Sequence, residues 1–312
     1  MNTLITGSLA FDTIMVFEDQ FKNHILPEQT HILNVSFFAP QMKRYMGGCA
    51  GNIAYTLKLL GGQPIIMATV GDDFGSYRTR LQELGLDGDH IRHIEGQFTA
   101  QAFITTDIDH NQIIAFHPGA MNFAHENSVT DADAIELGIV APNGRDAMLQ
   151  HSQQFSEAGI PFLFDPGQGL PMFDGDELLA FMEQANYAIV NDYESQMLMD
   201  KTGSSFTNLA QRVEALIVTQ GAKGSKIYIG DDVVEIASAP IERAEDPTGC
   251  GDAYRAGLMH GMTNKLDWKS CGQIASLCGA IKIEHAGTQN HSFTEPEFAR
   301  RYQSAYGEKY PL

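Results

Sequence analysis

The sequence predicts an α/β protein in which a mostly parallel sheet is covered by helices on both faces, with a small β lid beside it. Three observations support this fold class. Short apolar runs alternate with segments of helical periodicity, two long segments carry strand-like runs without helices, and the last third contains long stretches that are apolar on one face. Alternation of this kind favours a parallel sheet with helices packed on its faces.

The alternation begins at the N-terminus. The apolar run 3–6 stops at Gly7 and predicts a buried strand, and residues 51–60 place apolar side chains at helical spacing before Gly61 and Gly62. Glycine directly after the last periodic residue is a common helix stop. Further along, the predicted strands are 64–70, 161–164, 187–190 and 215–219, and the predicted helices are 74–84, 176–184 and 192–200.

The predicted lid consists of two segments that interrupt the alternation, about 13–46 and about 97–120. The first contains Phe17, Phe21, Phe37 and Phe38, and the second contains a turn-like stretch at 107–111. Asp and Asn between apolar runs are typical of a hairpin turn. We interpret both segments as strand pairs of a lid, and an ordinary antiparallel edge of the main sheet is the alternative.

The last third predicts two long helices, 251–262 and 268–284. Each has one apolar face, as expected for a helix that packs on a core. No shift in composition marks a linker, so we expect a single domain over residues 1–312 that carries the lid.

The composition indicates a globular protein with a strongly acidic balance. The 312 residues are 43% hydrophobic and 19% charged, and 20 Lys and Arg against 39 Asp and Glu give a net charge of -19. A field of this sign repels nucleic acid and anionic membranes, so we expect small-molecule partners. It also repels ATP, so a nucleotide site would need local positive potential, which helix N-termini and backbone N–H groups can supply.

The cysteines predict neither a disulfide nor a metal site. Cys49, Cys250, Cys271 and Cys278 are sparse and form no C-x-x-C pair, so we expect reduced thiols in a cytoplasmic protein. The first ten residues show no signal-peptide pattern, and no apolar run reaches the roughly 18 residues of a membrane span.

The segment with the clearest chemistry is 246–253, Asp-Pro-Thr-Gly-Cys-Gly-Asp-Ala. Gly249 and Gly251 precede a predicted helix, where backbone N–H groups and the helix N-terminus can bind a phosphate. A carboxylate beside a phosphate is costly, so we interpret Asp252 as a base that takes a proton from an attacking hydroxyl. An N-cap aspartate after a glycine turn is the alternative. The segment is neither a Walker A loop nor a dinucleotide fingerprint, since Tyr254 stands where the latter needs glycine.

Four segments, taken together, resemble the ribokinase-like (PfkB-type) family of carbohydrate and nucleoside kinases. Residues 246–252 are similar to its D-T-x-G-A-G-D signature, 47–52 to its G-G-x-x-x-N motif, 191–194 to its N-x-x-E motif, and 7–12 to its first turn. Weaker similarities at 219–224 and 287–289 extend the resemblance over nearly the whole chain. It implies a ribokinase-like three-layer sandwich and an ATP-dependent phosphotransferase. Pro247 and Cys250 depart from the commoner signature residues, and neither argues against activity.

The resemblance also implies residue roles. Asp252 would be the catalytic base, and the N–H groups of Gly249, Cys250 and Gly251 would stabilise charge on the transferred phosphoryl group. The implied substrate-binding residues are Asp12, Gly47, Gly48, Asn52 and Gln168, with Asp12 accepting from two ribose hydroxyls. The implied nucleotide-binding residues are Asn191, Thr219, Gly221, Gly224, Gly249 and Gly251, although 219–224 could equally be a plain hairpin turn.

Two cation sites follow from the same resemblance. Asn191 and Glu194 would order Mg²⁺ and its waters, and few direct ligands are needed because Mg²⁺ keeps several waters. A capping box at the start of a helix is the alternative for this pair. Asp246 and Thr248 would lie near a monovalent cation such as K⁺.

The acceptor is the least determined part of the hypothesis. Segments 7–15, 164–168 and 275–291 look most like bacterial adenosine and broad nucleoside kinases, and lid phenylalanines could stack on a base or simply pack the lid. We therefore expect a nucleoside kinase with adenosine favoured. The alternatives are a sugar kinase of the ribokinase or fructokinase type and a catalytically silent nucleoside-binding protein. We expect a monomer or a homodimer formed through the lid.

Overall fold

A computed structural model describes residues 2–25, 34–86, 88–109 and 111–312. Parts of the predicted lid, namely residues 26–33 and His110 in the turn, lie outside the described residues. No helix within those ranges is long and apolar enough to cross a bilayer.

Thirteen strands are formed by the described residues, and they agree with each strand predicted from the sequence. They are β1 (Asn2–Thr6), β2 (Ala10–Val16), β3 (Gln41–Gly47), β4 (Gln63–Val70), β5 (Ile91–His93), β6 (Ala100–Thr106), β7 (Gln112–His117), β8 (Ile135–Val140), β9 (Phe162–Phe164), β10 (Tyr187–Asn191), β11 (Ala215–Thr219), β12 (Ser225–Ile229) and β13 (Asp232–Ile236).

The α-helices of the same residues include the predicted ones and three that were not predicted individually, α3, α6 and α9. The helices are α1 (Cys49–Leu59), α2 (Gly75–Leu84), α3 (Arg145–Glu157), α4 (Gly175–Gln184), α5 (Asp192–Thr202), α6 (Phe206–Ala210), α7 (Cys250–Thr263), α8 (Trp268–Ile283) and α9 (Glu295–Tyr306).

The main sheet has nine strands in the order β13-β12-β11-β10-β9-β8-β1-β4-β5. It is parallel from β11 to β5, and an antiparallel hairpin adds β12 and β13 at one edge. Neighbouring residues of its central strands enter two different cores. Ile5 and Ile139 pack in the core that includes α1 and α7, whereas Leu4 and Val140 pack in the core that includes α3 and α4. Both faces are therefore covered, which explains why adjacent residues of these strands, and not only alternate ones, are apolar.

The lid is a separate four-stranded sheet with the order β3-β2-β6-β7. Strand β2 pairs antiparallel with β3 and parallel with β6, and β6 and β7 form the predicted hairpin. A second small sheet is thus confirmed, and the alternative of an extra edge on the main sheet is wrong. That the two sheets act as one domain stays a prediction.

Candidate active site

A cleft of 640 Å³ lies where the carboxyl ends of the main-sheet strands meet the lid. Residues at or just beyond the ends of β1, β8, β9, β10 and β11 line it, and Asp12, Ala102 and Phe116 line it from the lid sheet. Crevices at the carboxyl ends of parallel strands are the usual ligand sites of open α/β sheets. The predicted site residues that line this cleft are Asp12, Gly48, Asn52, Gln168, Asn191, Glu194, Thr219, Gly221, Thr248, Gly249, Gly251 and Asp252.

Asp252 lies in the first turn of α7 and faces the cleft. Its Oδ2 accepts a hydrogen bond from Asn52 Nδ2 at 2.8 Å. Burial raises the pKa of the Asp252 carboxyl to about 6, although the positive charge of Arg255 and the Asn52 hydrogen bond oppose the increase. The carboxylate form therefore predominates at neutral pH, and a base with a pKa slightly below the working pH suits proton removal from a hydroxyl.

The N-cap and first turn of α7 form a cradle of backbone N–H groups, which we define as residues 249–252. Gly249 is the N-cap at φ 79°, a left-handed conformation that favours glycine. A Cβ on Gly249 would also lie 3.0 Å from the Thr288 side chain. The first N–H groups of a helix have no intrahelical acceptor. Since that of Cys250 bonds the Pro247 carbonyl, those of Gly251 and Asp252 are left to bind an anion.

Asp12 lies on β2, at the lid side of the cleft. A Cβ on Gly47 would lie 2.5 Å from Asp12 Oδ2, so glycine at 47 makes room for this carboxylate. Burial, followed by repulsion from Asp246, raises the pKa of Asp12 to about 6. Gly47 thus acts beside the cleft without lining it, whereas Gly48 reaches the cleft as the N-cap of α1.

A hydrogen-bond chain holds Asn52 in place, and most of it was missed from the sequence. Gln289 Nε2 donates to Asn52 Oδ1 at 3.1 Å and to the Tyr77 hydroxyl at 2.6 Å, and that hydroxyl donates to the Gly47 carbonyl at 2.9 Å. Asn52 therefore orients Asp252 in the present conformation, and its contact with a substrate hydroxyl stays a prediction. Gln168 is exposed in the cleft, with a 3.9 Å contact between its Nε2 and Cys49 Sγ.

A second cavity of 470 Å³ adjoins the cleft, and Thr219, Gly221 and Gly251 line both. Its walls are mainly apolar and include Pro240, Ile241 and Ile283, together with Gly224 and Cys250 from the predicted site. An apolar cavity beside an anion cradle fits the base and phosphates of a nucleotide. The segment 219–224 is the turn of the β11–β12 hairpin, so the hairpin interpretation is confirmed, and a role of this turn in nucleotide binding stays a prediction.

Asn191 and Glu194 form a capping box at the start of α5. Asn191 Oδ1 accepts from the Glu194 N–H at 2.7 Å, and Glu194 Oε2 accepts from the Asn191 N–H at 2.8 Å. Both residues nevertheless line the cleft, and Glu194 Oε1 is left for a further partner. Among the described residues no group of three or more His, Cys, Asp and Glu could hold a metal ion. The Asn191 side chain and the remaining Glu194 oxygen fit a hydrated Mg²⁺, which keeps several waters and needs few direct protein ligands.

The predicted K⁺ position at Asp246 and Thr248 has a different occupant. The Asp246 carboxylate accepts from the N–H groups of Thr248 at 2.9 Å and Gly287 at 2.8 Å. The ammonium of Lys282 lies 3.7 Å from the same carboxylate and donates to the Asp246 carbonyl at 2.6 Å. These oxygens therefore already have a cationic partner, and they do not fit an additional metal cation.

Arg255 and Asp165 form a buried ion pair below Asp252, and sequence reasoning missed it. The guanidinium donates from Nε and NH2 to the two Asp165 oxygens, and the side chains are 9% and 2% exposed. Of the described residues that line the cleft, Arg255 is the only cation, against the carboxylates of Asp12, Asp165, Glu194 and Asp252. Arg255 therefore compensates charge where a nucleotide would add more.

The lid phenylalanines mostly pack against one another. The rings of Phe17 and Phe21 lie 4.9 and 5.0 Å from that of Phe37, measured between centroids. Phe38 is 82% exposed. None of these four is among the described residues that line the cleft, whereas Phe116 on β7 is. Phe116 is thus the lid aromatic placed to contact a ligand.

Comparison with known proteins gives one consistent result. Residues 22–295 match the family described as "pfkB family carbohydrate kinase". The nucleoside kinase of Methanothermobacter thermautotrophicus is 32% identical over 315 residues, which cover 99% of this chain and 98% of the relative. The structure of Burkholderia thailandensis nucleoside kinase in complex with inosine has a TM-score of 0.90 and 48% identity, covering 98% of this chain and 99% of that chain. The nucleoside kinase structure of Methanocaldococcus jannaschii has a TM-score of 0.88 and 30% identity, covering 97% and 98%.

Proposed function

The chain belongs to the pfkB family of carbohydrate kinases, and we propose that within it the protein is a nucleoside kinase that transfers the terminal phosphoryl group of ATP to a nucleoside 5′-hydroxyl. The observation that carries the proposal is Asp252, a half-buried carboxylate that lines the acceptor cleft next to Gly251, which lines both the cleft and the apolar second cavity. Full-length similarity to nucleoside kinases supports it, including one solved with inosine.

The mechanism follows from the placement of the chain's own groups. Asp252 accepts the proton of the 5′-hydroxyl as that oxygen attacks the terminal phosphorus of ATP. The N–H groups of Gly251 and Asp252 stabilise the negative charge on the transferred phosphoryl oxygens. ADP leaves towards the second cavity, and the product is the nucleoside 5′-monophosphate. Mg²⁺, held through water by Asn191 and Glu194, would neutralise phosphate charge while bound.

Asp12 and the cleft wall account for the acceptor. Ribose offers two vicinal hydroxyl donors, and one carboxylate can accept from both. Apolar groups around the cleft, among them Ala102, Phe116, Met121 and Met172, would contact the faces of a base. Within this class we propose adenosine as the favoured acceptor and ATP as the donor.

The test is ADP release from Mg-ATP with adenosine, inosine, guanosine, cytidine, ribose and fructose 6-phosphate as separate acceptors. We expect turnover on purine nucleosides, fastest on adenosine. Asp252→Asn should lower kcat about 10²–10⁴-fold, the range for general-base catalysis. The matched control is Asp176→Asn, which replaces an exposed aspartate in the first turn of α4 and should leave kcat unchanged.

Each outcome decides between functions. Turnover on ribose or fructose 6-phosphate alone would make the protein a sugar kinase with the same base. Tight nucleoside binding without acceptor-dependent ADP release would make it a silent nucleoside-binding protein. Full activity in Asp252→Asn would remove the proposed role of the carboxylate.

A further inference from the structure

Lys282, near the end of α8, has a side chain with no solvent exposure. Removing an ammonium group from water is costly unless oxygen atoms replace its hydration shell. Burial lowers the pKa of Lys282, whereas the Asp246 charge favours the protonated form. A lysine in this position therefore needs partners that bind a cation.

The partners of the Lys282 ammonium are the oxygens of two loops. Nζ donates to the carbonyl of Asp246 at 2.6 Å and to that of His285 at 3.1 Å, and it lies 3.7 Å from the Asp246 carboxylate. Backbone carbonyls are the groups that replace water around K⁺ in proteins. The ammonium is thus surrounded by the oxygen donors that an alkali cation would take.

The two loops are those that shape the cradle. One contains Asp246 and leads directly into residues 249–252, and the other contains His285 and leads through Gly287 to Thr288 and Gln289. The Asp246 carboxylate binds the Gly287 N–H at 2.8 Å. Thr288 packs against Gly249, and Gln289 bonds Asn52, which bonds Asp252. A cation at this junction therefore holds both loops against each other.

We propose that Lys282 is a tethered cation that takes the place of a monovalent metal ion, so that the cradle is organised without K⁺. A metal ion and the ammonium cannot share these oxygens, since two positive charges in contact with the same oxygen atoms repel each other strongly in buried surroundings. A tethered charge is present at every salt composition. The catalytic half of this inference rests on the proposed function, and the structural half does not.

The experiment compares the wild type with Lys282→Ala, which removes the ammonium and leaves its oxygen partners in place. The matched control is Lys269→Ala on the same helix, whose exposed ammonium bonds Glu308. Each protein is assayed at constant ionic strength in KCl, NaCl, NH₄Cl and tetramethylammonium chloride. The readouts are kcat/KM for Mg-ATP and, in the absence of substrates, Tm.

For the wild type and for Lys269→Ala, we expect kcat/KM to differ less than twofold among the four salts. In tetramethylammonium chloride, kcat/KM of Lys282→Ala should be at least tenfold lower than that of the wild type. In KCl or NH₄Cl the kcat/KM of this variant should rise severalfold again. Its Tm should rise with K⁺ or ammonium and not with tetramethylammonium. A purely structural lysine would lower Tm equally in all four salts.

The inference is overturned if K⁺ activates the wild type tenfold, or if Lys282→Ala is as active as the wild type in tetramethylammonium chloride. It is also overturned if neither kcat/KM nor Tm of Lys282→Ala is higher in any of the other three salts than in tetramethylammonium chloride. Should this variant not fold, the same comparison uses Lys282→Gln, whose amide donates to carbonyls without a charge, and the wild-type salt series alone still decides. If no nucleoside is phosphorylated, the proposed function fails while the Tm series tests Lys282 independently.

Discussion

Removing the charge of Arg255 and removing that of Asp165 should move the pKa of Asp252, the proposed catalytic base, in opposite directions. After the dominant effect of burial, the guanidinium of Arg255 lowers the pKa of Asp252 and the Asp165 carboxylate raises it. Arg255→Gln should therefore shift the acid limb of the pH–rate profile to higher pH, and Asp165→Asn should shift it to lower pH.

The magnitude follows from the helix geometry. Arg255 follows Asp252 by three residues on α7, which makes the two side chains neighbours at roughly 6 Å. A unit charge at that distance contributes about 3 kcal/mol at an effective dielectric constant of about 20, or about two pKa units. The Asp165 carboxylate pairs with the guanidinium, and its charge makes the smaller contribution, of opposite sign.

The assay is kcat at saturating nucleoside between pH 4.5 and 9.5, so that weaker nucleoside binding after protonation of Asp12 does not shape the acid limb. The wild-type limb should lie near the pKa of about 6 of Asp252, because only the carboxylate accepts a proton. The rate of Arg255→Gln should be about tenfold below that of the wild type at pH 7 and should recover most of this loss at pH 9. Asp165→Asn should stay active at lower pH than the wild type.

Stability is the necessary control, because Arg255→Gln leaves Asp165 buried without its partner. Breaking a buried pair in this way costs about 3–5 kcal/mol in the free energy of unfolding. The double variant, Arg255→Gln with Asp165→Asn, has no unpaired buried charge, so it should be more stable in urea than Arg255→Gln. The acid limb of its pH–rate profile should lie between those of the two single variants. Limbs that stay fixed, or that move in the same direction in both single variants, would refute the electrostatic reasoning.

Two further predictions concern the acceptor and the cradle. Asp12→Asn should raise KM for nucleosides about 10–100-fold through loss of charge-assisted hydrogen bonds. Since the pKa of Asp12 is about 6, wild-type nucleoside binding measured by calorimetry should weaken below pH 6 as the carboxyl is protonated, and binding to Asp12→Asn should not. Gly249→Ala combines a left-handed φ of 79° with a Cβ 3.0 Å from Thr288, so it should raise KM for Mg-ATP in initial-rate assays. Gly203→Ala is its control, because that glycine is also left-handed at φ 64° but open space surrounds its Cβ position, and it should lower Tm without changing KM.

The parts of the site that the sequence predicted are those whose signal is local. Gly249, Gly251 and Asp252 are adjacent, and their residue types alone indicate an anion site at a helix start. Asn191 and Glu194 are three apart, and a capping box and a polar site share that spacing, which is why the sequence left both interpretations open. The structure shows that the box forms at the edge of the cleft.

The parts that were missed depend on contacts between distant segments. Tyr77 and Gln289 are 212 positions apart and meet only because α2 and the loop after α8 pack on α1. Lys282 and Arg255 lie on helices, where a basic residue normally faces solvent, and no spacing rule indicates that tertiary packing buries them. In contrast, α9 had a readable local signal in Thr294 and Glu297, a capping box that the helical pattern of the last third did not include.

The buried cations resolve a conflict that the net charge of -19 creates for the proposed ATP site. A surface lysine would be screened by salt and offset by the surrounding carboxylates. Arg255 and Lys282 instead lie in low-dielectric surroundings, where a charge acts more strongly on its neighbours and is little screened. Arg255 follows Asp252 by three residues on α7, and Lys282 donates to the Asp246 carbonyl in the loop that precedes Gly249, so both add to the positive end of α7. Local positive potential therefore coexists with an acidic surface, which suits a site that must attract phosphate while the protein as a whole repels nucleic acid.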